Sequence, residues 1–167
     1  AESLPGLLDV LGIASAQAQS EGEKYKGLVF DATGLTSVED LIELQAFFTP
    51  VMRSLTKCAR VVVIGTPPAQ VEGSEQITQR ALEGFTRSLG KEIGKGGTVQ
   101  LVYVADGYED SVLSTLGFLL SPKSAYVSGQ VVRIGAHKED KGAALSDWTA
   151  PLAGKVAFVT GASRGIG

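Results

Sequence analysis

Short apolar runs alternate along the chain with stretches whose apolar residues recur at helical spacing. Leu28-Val29-Phe30 leads into Asp31-Ala32-Thr33-Gly34 and reads as a strand and its turn. From Val38 to Leu55 the positions Val38, Leu41, Ile42, Phe48, Val51, Met52 and Leu55 keep helical spacing, with Gln45 the one miss. Ser37 is placed to cap this helix, and Asp40 three residues on completes an approximate capping box. Pro50 inside the run predicts a kink or break near Thr49. Val61-Val62-Val63-Ile64, closed by Gly65, suits a strand buried on both faces. After a polar loop over 66–74, Ile77, Ala81, Phe85 and Leu89 recur every four residues, and Leu82 and Ile93 widen the stripe. Gly94, Gly96 and Gly97 stop that helix. A strand over 99–104, a short helix over 110–120 and a strand region over 127–134 follow. Residues 137–146 are charged and small and read as a linker. Leu7 to Ile13 fits either a short strand or a helix.

This alternation predicts an α/β fold: a doubly wound, mainly parallel sheet of flavodoxin-like or Rossmann-like type, covered on both faces through right-handed crossovers. Composition narrows the class. Hydrophobic residues make up 44% and charged residues 20%, with a mean hydropathy of +0.15, which excludes a disordered chain. The 21 glycines follow no period of three, so collagen is excluded. A net charge of −3 and a pI near 5.2 give no electrostatic footprint for nucleic acid. Cys58 is the single cysteine, which excludes an intramolecular disulfide and a cysteine-cluster metal site; it reads as a small buried hydrophobe. A reducing, cytoplasmic setting is expected. No apolar stretch approaches the roughly 20 residues of a membrane span. The chain starts at Ala1, and Ala14-Ser15-Ala16 and Ala16-Gln17-Ala18 resemble small-residue cleavage sites. However, no Lys or Arg precedes the Leu7–Ile13 run and Asp9 interrupts it, which argues against a signal peptide.

The end of the chain carries the most specific chemistry. Val156-Ala157-Phe158-Val159 is an apolar run entering Thr160-Gly161-Ala162-Ser163-Arg164-Gly165-Ile166-Gly167. A buried strand running into such a turn opens a nucleotide-binding βα unit. Glycine lets main-chain N–H groups approach a pyrophosphate that a Cβ would exclude, and a following helix N-terminus adds positive charge. Gly161, Ser163, Arg164, Gly165, Ile166 and Gly167 are therefore the candidate cofactor-binding residues. The competing reading is a plain glycine-rich turn with a solvated Arg164.

From Leu152 to Gly167 the sequence resembles the opening of a short-chain dehydrogenase/reductase domain, within which it is most similar to 3-oxoacyl-[acyl-carrier-protein] reductases. Gly27–Gly34, Phe47-Phe48-Thr49-Pro50-Val51, Gln79–Glu92 and Ser124–Gln130 extend the resemblance to the high-molecular-weight members, which carry a flavodoxin-like domain ahead of the reductase. The match runs from about residue 27 to 167 and is poor over 1–26. It implies a catalytically silent flavodoxin-like domain over 1–136, a linker over 137–151, and the truncated start of an NAD(P)-binding domain over 152–167. It further implies a parent enzyme of fatty acid biosynthesis that reduces β-ketoacyl thioesters with NADPH or NADH. Acyl carrier protein or CoA thioesters would be its substrates, through a domain beyond this segment.

The front region is itself similar to the later half of a short-chain reductase. Asp31-Ala32-Thr33-Gly34 stands where such enzymes carry Asn-Asn-Ala-Gly. The Tyr and Lys of their Tyr-x-x-x-Lys pair fall at Glu75 and Gln79, and their Ser falls near Thr66. Their chemistry needs a phenol acidified by a neighbouring ammonium, which Glu75 and Gln79 cannot supply. No catalytic residue, metal site or FMN is therefore expected here. This portion would be structural, shaping a homo-oligomer, because the corresponding helices of short-chain reductases pack into a four-helix dimer interface. The apolar stripe Ile77–Leu89 and Phe47-Phe48 serve either that interface or the domain's own sheet. The alternative is a binding module for an acyl thioester or nucleotide at the strand ends near Gly34 and Thr66. Asp31 reads as a turn residue, His137 as solvated, and Trp148 with Pro151 as packing for the linker.

Overall fold

The computed structural model describes residues 4–17, 19–135, 147, 149–150 and 152–165. The chain divides into two units, Ala1–Ala136 and His137–Gly167.

The first unit is built on four parallel strands, β1 (Tyr25–Asp31), β2 (Leu55–Gly65), β3 (Thr98–Val104) and β4 (Gln130–Ile134), arranged in chain order. Its helices are α1 (Leu4–Val10), α2 (Ile42–Val51), α3 (Gly73–Glu92) and α4 (Val112–Leu119). Register and pleat sort the core into two layers. Phe30 pairs with Val63, Val63 with Leu101 and Leu101 with Val131, and this row faces α2 and α3. Ile64 pairs with Val102 and Val102 with Val132, and this row faces α4, with Leu4 and Leu11 from the α1 side. Every residue of β3 is buried, as befits a central parallel strand. Each fully buried Val or Leu contributes roughly 1.5–3 kcal/mol of transfer free energy. Of its buried polar residues, Gln100 is satisfied, its amide donating to the Val127 carbonyl and accepting from the Gln130 N–H, whereas the Thr98 hydroxyl has no partner.

The helix placement departs from the expected uniform handedness. The strands progress in one direction, α2 and α3 cover one face, and α4 covers the other. The β3–α4–β4 crossover therefore has the opposite hand to the two before it, against the usual right-handed rule. On the first face the 20-residue α3 reaches β4, where Glu83 meets Arg133.

Other differences from the sequence expectations have local causes. The ambiguous Leu7–Ile13 segment falls in and just beyond helix α1. The 38–55 run is a 3-10 turn (Glu39–Leu41), α2 and a second 3-10 turn (Met52–Ser54). Pro50 lies in the last turn of α2, so the regular helix ends one residue later. Only the carboxylate half of the capping box forms. Asp40 Oδ2 accepts from the Ser37 and Thr36 N–H groups at 2.8 and 2.9 Å, which holds its pKa below the usual carboxylate value, with the Ser37 bond the larger cause. Cys58 is exposed, not buried. It adopts φ 56° where the β1–β2 register shifts, and its N–H donates to Lys95 O.

The apolar stripe of α3 meets the core in part: Leu82 is fully buried and Phe85, Leu89 and Ile93 pack against the same core, whereas Ile77 is 62% exposed. Thr78, Gln79, Glu83 and Thr86 share the buried face, and Phe85 meets Phe48 with ring centroids 5.1 Å apart. Most of these buried polar residues have dedicated partners, as buried polar groups usually do; the Thr86 hydroxyl has none.

In the second unit, the 156–159 segment expected to be a buried strand forms no strand; Val156 is fully exposed and Phe158 is 91% exposed. A parallel strand needs a hydrogen-bonded neighbour, and none is present among the described residues of this unit. The expected linker at 137–146, His137, Trp148 and Pro151 lie outside the described residues.

Candidate functional site

The C-terminal ends of β1 and β2 form the crevice where α/β sheets commonly hold ligands. Here α3 fills it. Its first turns bring the Gln79 side chain under both strand-end loops. Gln79 Nε2 donates to Ala32 O at 2.8 Å and Leu35 O at 2.9 Å, and Oε1 accepts from the Thr66 N–H at 2.9 Å. The Gln79 side chain is fully buried. Its backbone carbonyl accepts a 2.7 Å bond from the Tyr103 hydroxyl, reaching over from β3. Gly65 makes this closeness achievable: a Cβ there would lie 2.8 Å from Gln79 Oε1 and 2.8 Å from Leu82 Cδ1. One amide thus joins two loops and a third strand into one knot, and both of its donors are used.

The acid–base capacity of this knot is small. An amide carries no transferable proton near neutral pH. The Tyr103 phenol is pushed up to about 12, first by burial and then by the nearby Glu83 carboxylate. Asp31 Oδ1 accepts from Thr33 N–H at 3.0 Å and Thr33 Oγ1 at 2.7 Å, so its carboxylate is committed to the turn. Glu75, at the position resembling the family's Tyr, lies on the first turn of α3. Among the described residues no group of three His, Cys, Asp or Glu is placed to hold a metal ion. No helix of the described residues is long and apolar enough to cross a membrane.

The glycine-rich turn is open. Gly161 and Gly165 adopt φ of +70° and +78°, and nothing lies within 4 Å of a Cβ built at either. The Arg164 N–H donates to Gly161 O at 3.3 Å, closing the turn, and Ser163 and Arg164 are exposed. The structure therefore brings Gly161, Ser163, Arg164 and Gly165 together in one solvent-facing turn; Ile166 and Gly167 lie outside the described residues.

Two further features carry no signal in the apolar periodicity. A cavity of about 580 Å³ lies between α1 with its following loop and the free edge of β1, lined by Leu8, Ile13, Leu28, Phe47, Val51 and Leu120 among others. On the opposite side, Glu83 is ringed by Arg80, Arg87 and Arg133.

No protein-family model matches the chain, and no curated protein matches it. Solved structures do. A short-chain dehydrogenase/reductase of Brucella melitensis, described as a glucose/ribitol dehydrogenase, superposes with a TM-score of 0.55 at 16% identity over 66% of this chain and 62% of its own. A short-chain dehydrogenase/reductase of Serratia marcescens gives 0.52 at 18% identity, over 66% and 64%. BdcA of E. coli gives 0.51 at 19%, over 77% and 66%. At such identities the likeness establishes the fold: the chain has a Rossmann-like α/β fold of the kind found in short-chain dehydrogenase/reductases. It spans less than two thirds of the length of each of these chains.

Proposed function

We propose that residues 1–136 are a non-catalytic relative of the short-chain reductase fold that supports assembly, and that 152–167 open the coenzyme-binding domain of an NAD(P)H-dependent β-ketoacyl thioester reductase. The Gln79 knot carries this reading. Gln79 stands where the resemblance puts the family's Lys, and its side chain closes the strand-end crevice in which a coenzyme would lie. The parent enzyme then reduces acyl carrier protein or CoA thioesters in the cytoplasm with NADPH or NADH, using residues beyond this segment. Gly161, Ser163, Arg164, Gly165, Ile166 and Gly167 would meet the coenzyme pyrophosphate, with main-chain N–H groups as donors.

A homo-oligomer is part of the proposal. Leu41, Leu44, Phe48, Met52, Phe85 and Leu89 line an apolar groove of about 480 Å³ between α2 and α3. Ile77 of the same helix is exposed. Sedimentation of the chain should give a dimer or larger species that Phe85→Glu dissociates. A monomer at all concentrations would remove the assembly role. In parallel, the chain mixed with a β-ketoacyl thioester and NADPH should leave the nicotinamide absorbance unchanged; sustained, protein-dependent oxidation would overturn the non-catalytic assignment.

The second reading, an acyl-binding module, is favoured by the apolar cavity beside β1 rather than by the crevice near Gly34 and Thr66, which Gln79 occupies. Saturable binding of a fatty acyl thioester that Leu28→Trp blocks would select it.

A further inference from the structure

Glu83 is nearly buried, its side chain 9% exposed, and three guanidiniums converge on it: Arg80 Nη1 at 3.1 Å from Oε1, Arg133 Nη2 at 3.4 Å from Oε1, and Arg87 Nη2 at 3.5 Å from Oε2. One cation would neutralise a buried carboxylate; three leave two positive charges in surplus on a chain whose net charge is −3. Arg80 and Arg87 flank Glu83 along α3, and Arg133 comes from the edge strand β4. The arginine side chains remain 65%, 61% and 60% exposed. Arg133 is further fixed by the Tyr103 ring beneath it, its Cζ 5.6 Å from the centroid. Lys91, exposed one turn past Arg87 on the same stripe, adds a cation, and Glu83 is the only carboxylate on that stripe.

We propose that Arg80, Arg87 and Arg133 form a binding site for a phosphate dianion, with Glu83 as the organiser that draws the three forks together. Two nitrogens within 3.1 and 3.4 Å of one oxygen are close enough for a single tetrahedral oxyanion to bridge the guanidiniums from the solvent side. Each guanidinium has five N–H donors in a planar fork that suits phosphate, and the closest approach of each to Glu83 is made by one nitrogen. Glu83 itself keeps a share of the charge, so the site should prefer a doubly charged oxyanion over a singly charged one. The site lies on α3 where β4 meets it.

The test is calorimetric titration of the whole chain with inorganic phosphate, phenyl phosphate and chloride, at pH 8 and fixed ionic strength. Both phosphates should bind saturably and chloride should not. Arg133→Gln and Arg87→Gln should each weaken phosphate by roughly tenfold, the loss expected for one charge-assisted contact. Arg133→Lys, which keeps the charge and loses the fork, should fall between; Lys57→Gln, at an exposed lysine of β2, should change nothing. Equal affinities for the two phosphates would assign the site to the free ion and tighter phenyl phosphate to an esterified one, both in support. No saturable binding, binding unchanged by Arg133→Gln, or binding lost through Lys57→Gln instead would overturn the proposal. Far-UV circular dichroism of each variant checks that the fold is kept; because the substituted side chains are mostly exposed, it should be.

Discussion

Gly65 and Gly161 each close an apolar run and open a loop, and the two loops have opposite fates. At Gly65 the backbone is walled in by Gln79, Leu82 and Tyr103, and glycine is there because no Cβ fits. At Gly161 nothing lies within 4 Å of a Cβ, and glycine is there because the chain turns through φ +70°. The same residue thus serves close packing in one place and a left-handed turn in the other. A strand end whose polar groups are met by protein has no donors to offer a ligand, whereas an open turn keeps them.

The strongest challenge to this contrast is Gln79→Leu. It would take the partner from the part-buried Thr66 N–H and from the buried Leu35 carbonyl, and one of two donors from the Ala32 carbonyl, which also accepts from the Leu35 N–H, at about 1–3 kcal/mol for each group left unpaired where water cannot reach. Denaturant unfolding should show a loss of about 3–5 kcal/mol, among the larger effects of single substitutions. A loss below 1 kcal/mol would mean the knot does not hold the loops.

Gly65→Ala should cost about 1–3 kcal/mol through overpacking against Gln79 and Leu82. Gly161→Ala should leave the unfolding of residues 1–136 within about 0.5 kcal/mol, since nothing lies within 4 Å of a Cβ built at that position. Equal effects at the two glycines would erase the distinction between them.

Tyr103 sharpens it at high pH. The phenol is held near 12 in the folded chain against an ordinary value of 10.0. The unfolded chain releases this proton first, so stability is complete below pH 10 and declines as pH rises towards 12. Tyr103→Phe should abolish that part of the alkaline decline and lower stability at neutral pH by about 1 kcal/mol, through loss of the bond to Gln79 O. An unchanged alkaline profile in Tyr103→Phe would place the phenol in a wetter setting.

Much of the sheet was readable because Val61–Ile64 and Val99–Val104 are dense in β-branched residues and both lie at its centre. The face of α3 was misread for a physical reason. Its buried positions Gln79 and Glu83 draw on partners 44 to 50 residues away, Ala32, Leu35 and Arg133, and periodicity carries no record of such pairings. The hand of the last crossover was hidden as well, since periodicity does not record which face of the sheet a helix covers. Cys58 looked buried from its flanks, but the register shift beside it turns its side chain out. Val156–Val159 shows the converse. Its β-propensity is strong, yet an apolar run becomes a strand only against a neighbouring strand. In the candidate site, the missing Tyr and Lys were legible one residue at a time, whereas the amide that takes over the crevice became visible only with all its partners in place.

The central claim is that the strand-end crevice of residues 1–136 is closed to a nicotinamide coenzyme. Titration of the chain with NADH and NADPH, followed by nicotinamide fluorescence, tests it most directly, because the ring reports the crevice and not a phosphate held on α3. The account predicts no saturable change with either coenzyme. A saturating signal with a dissociation constant in the low micromolar range, shifted by Gln79→Ala, would contradict it.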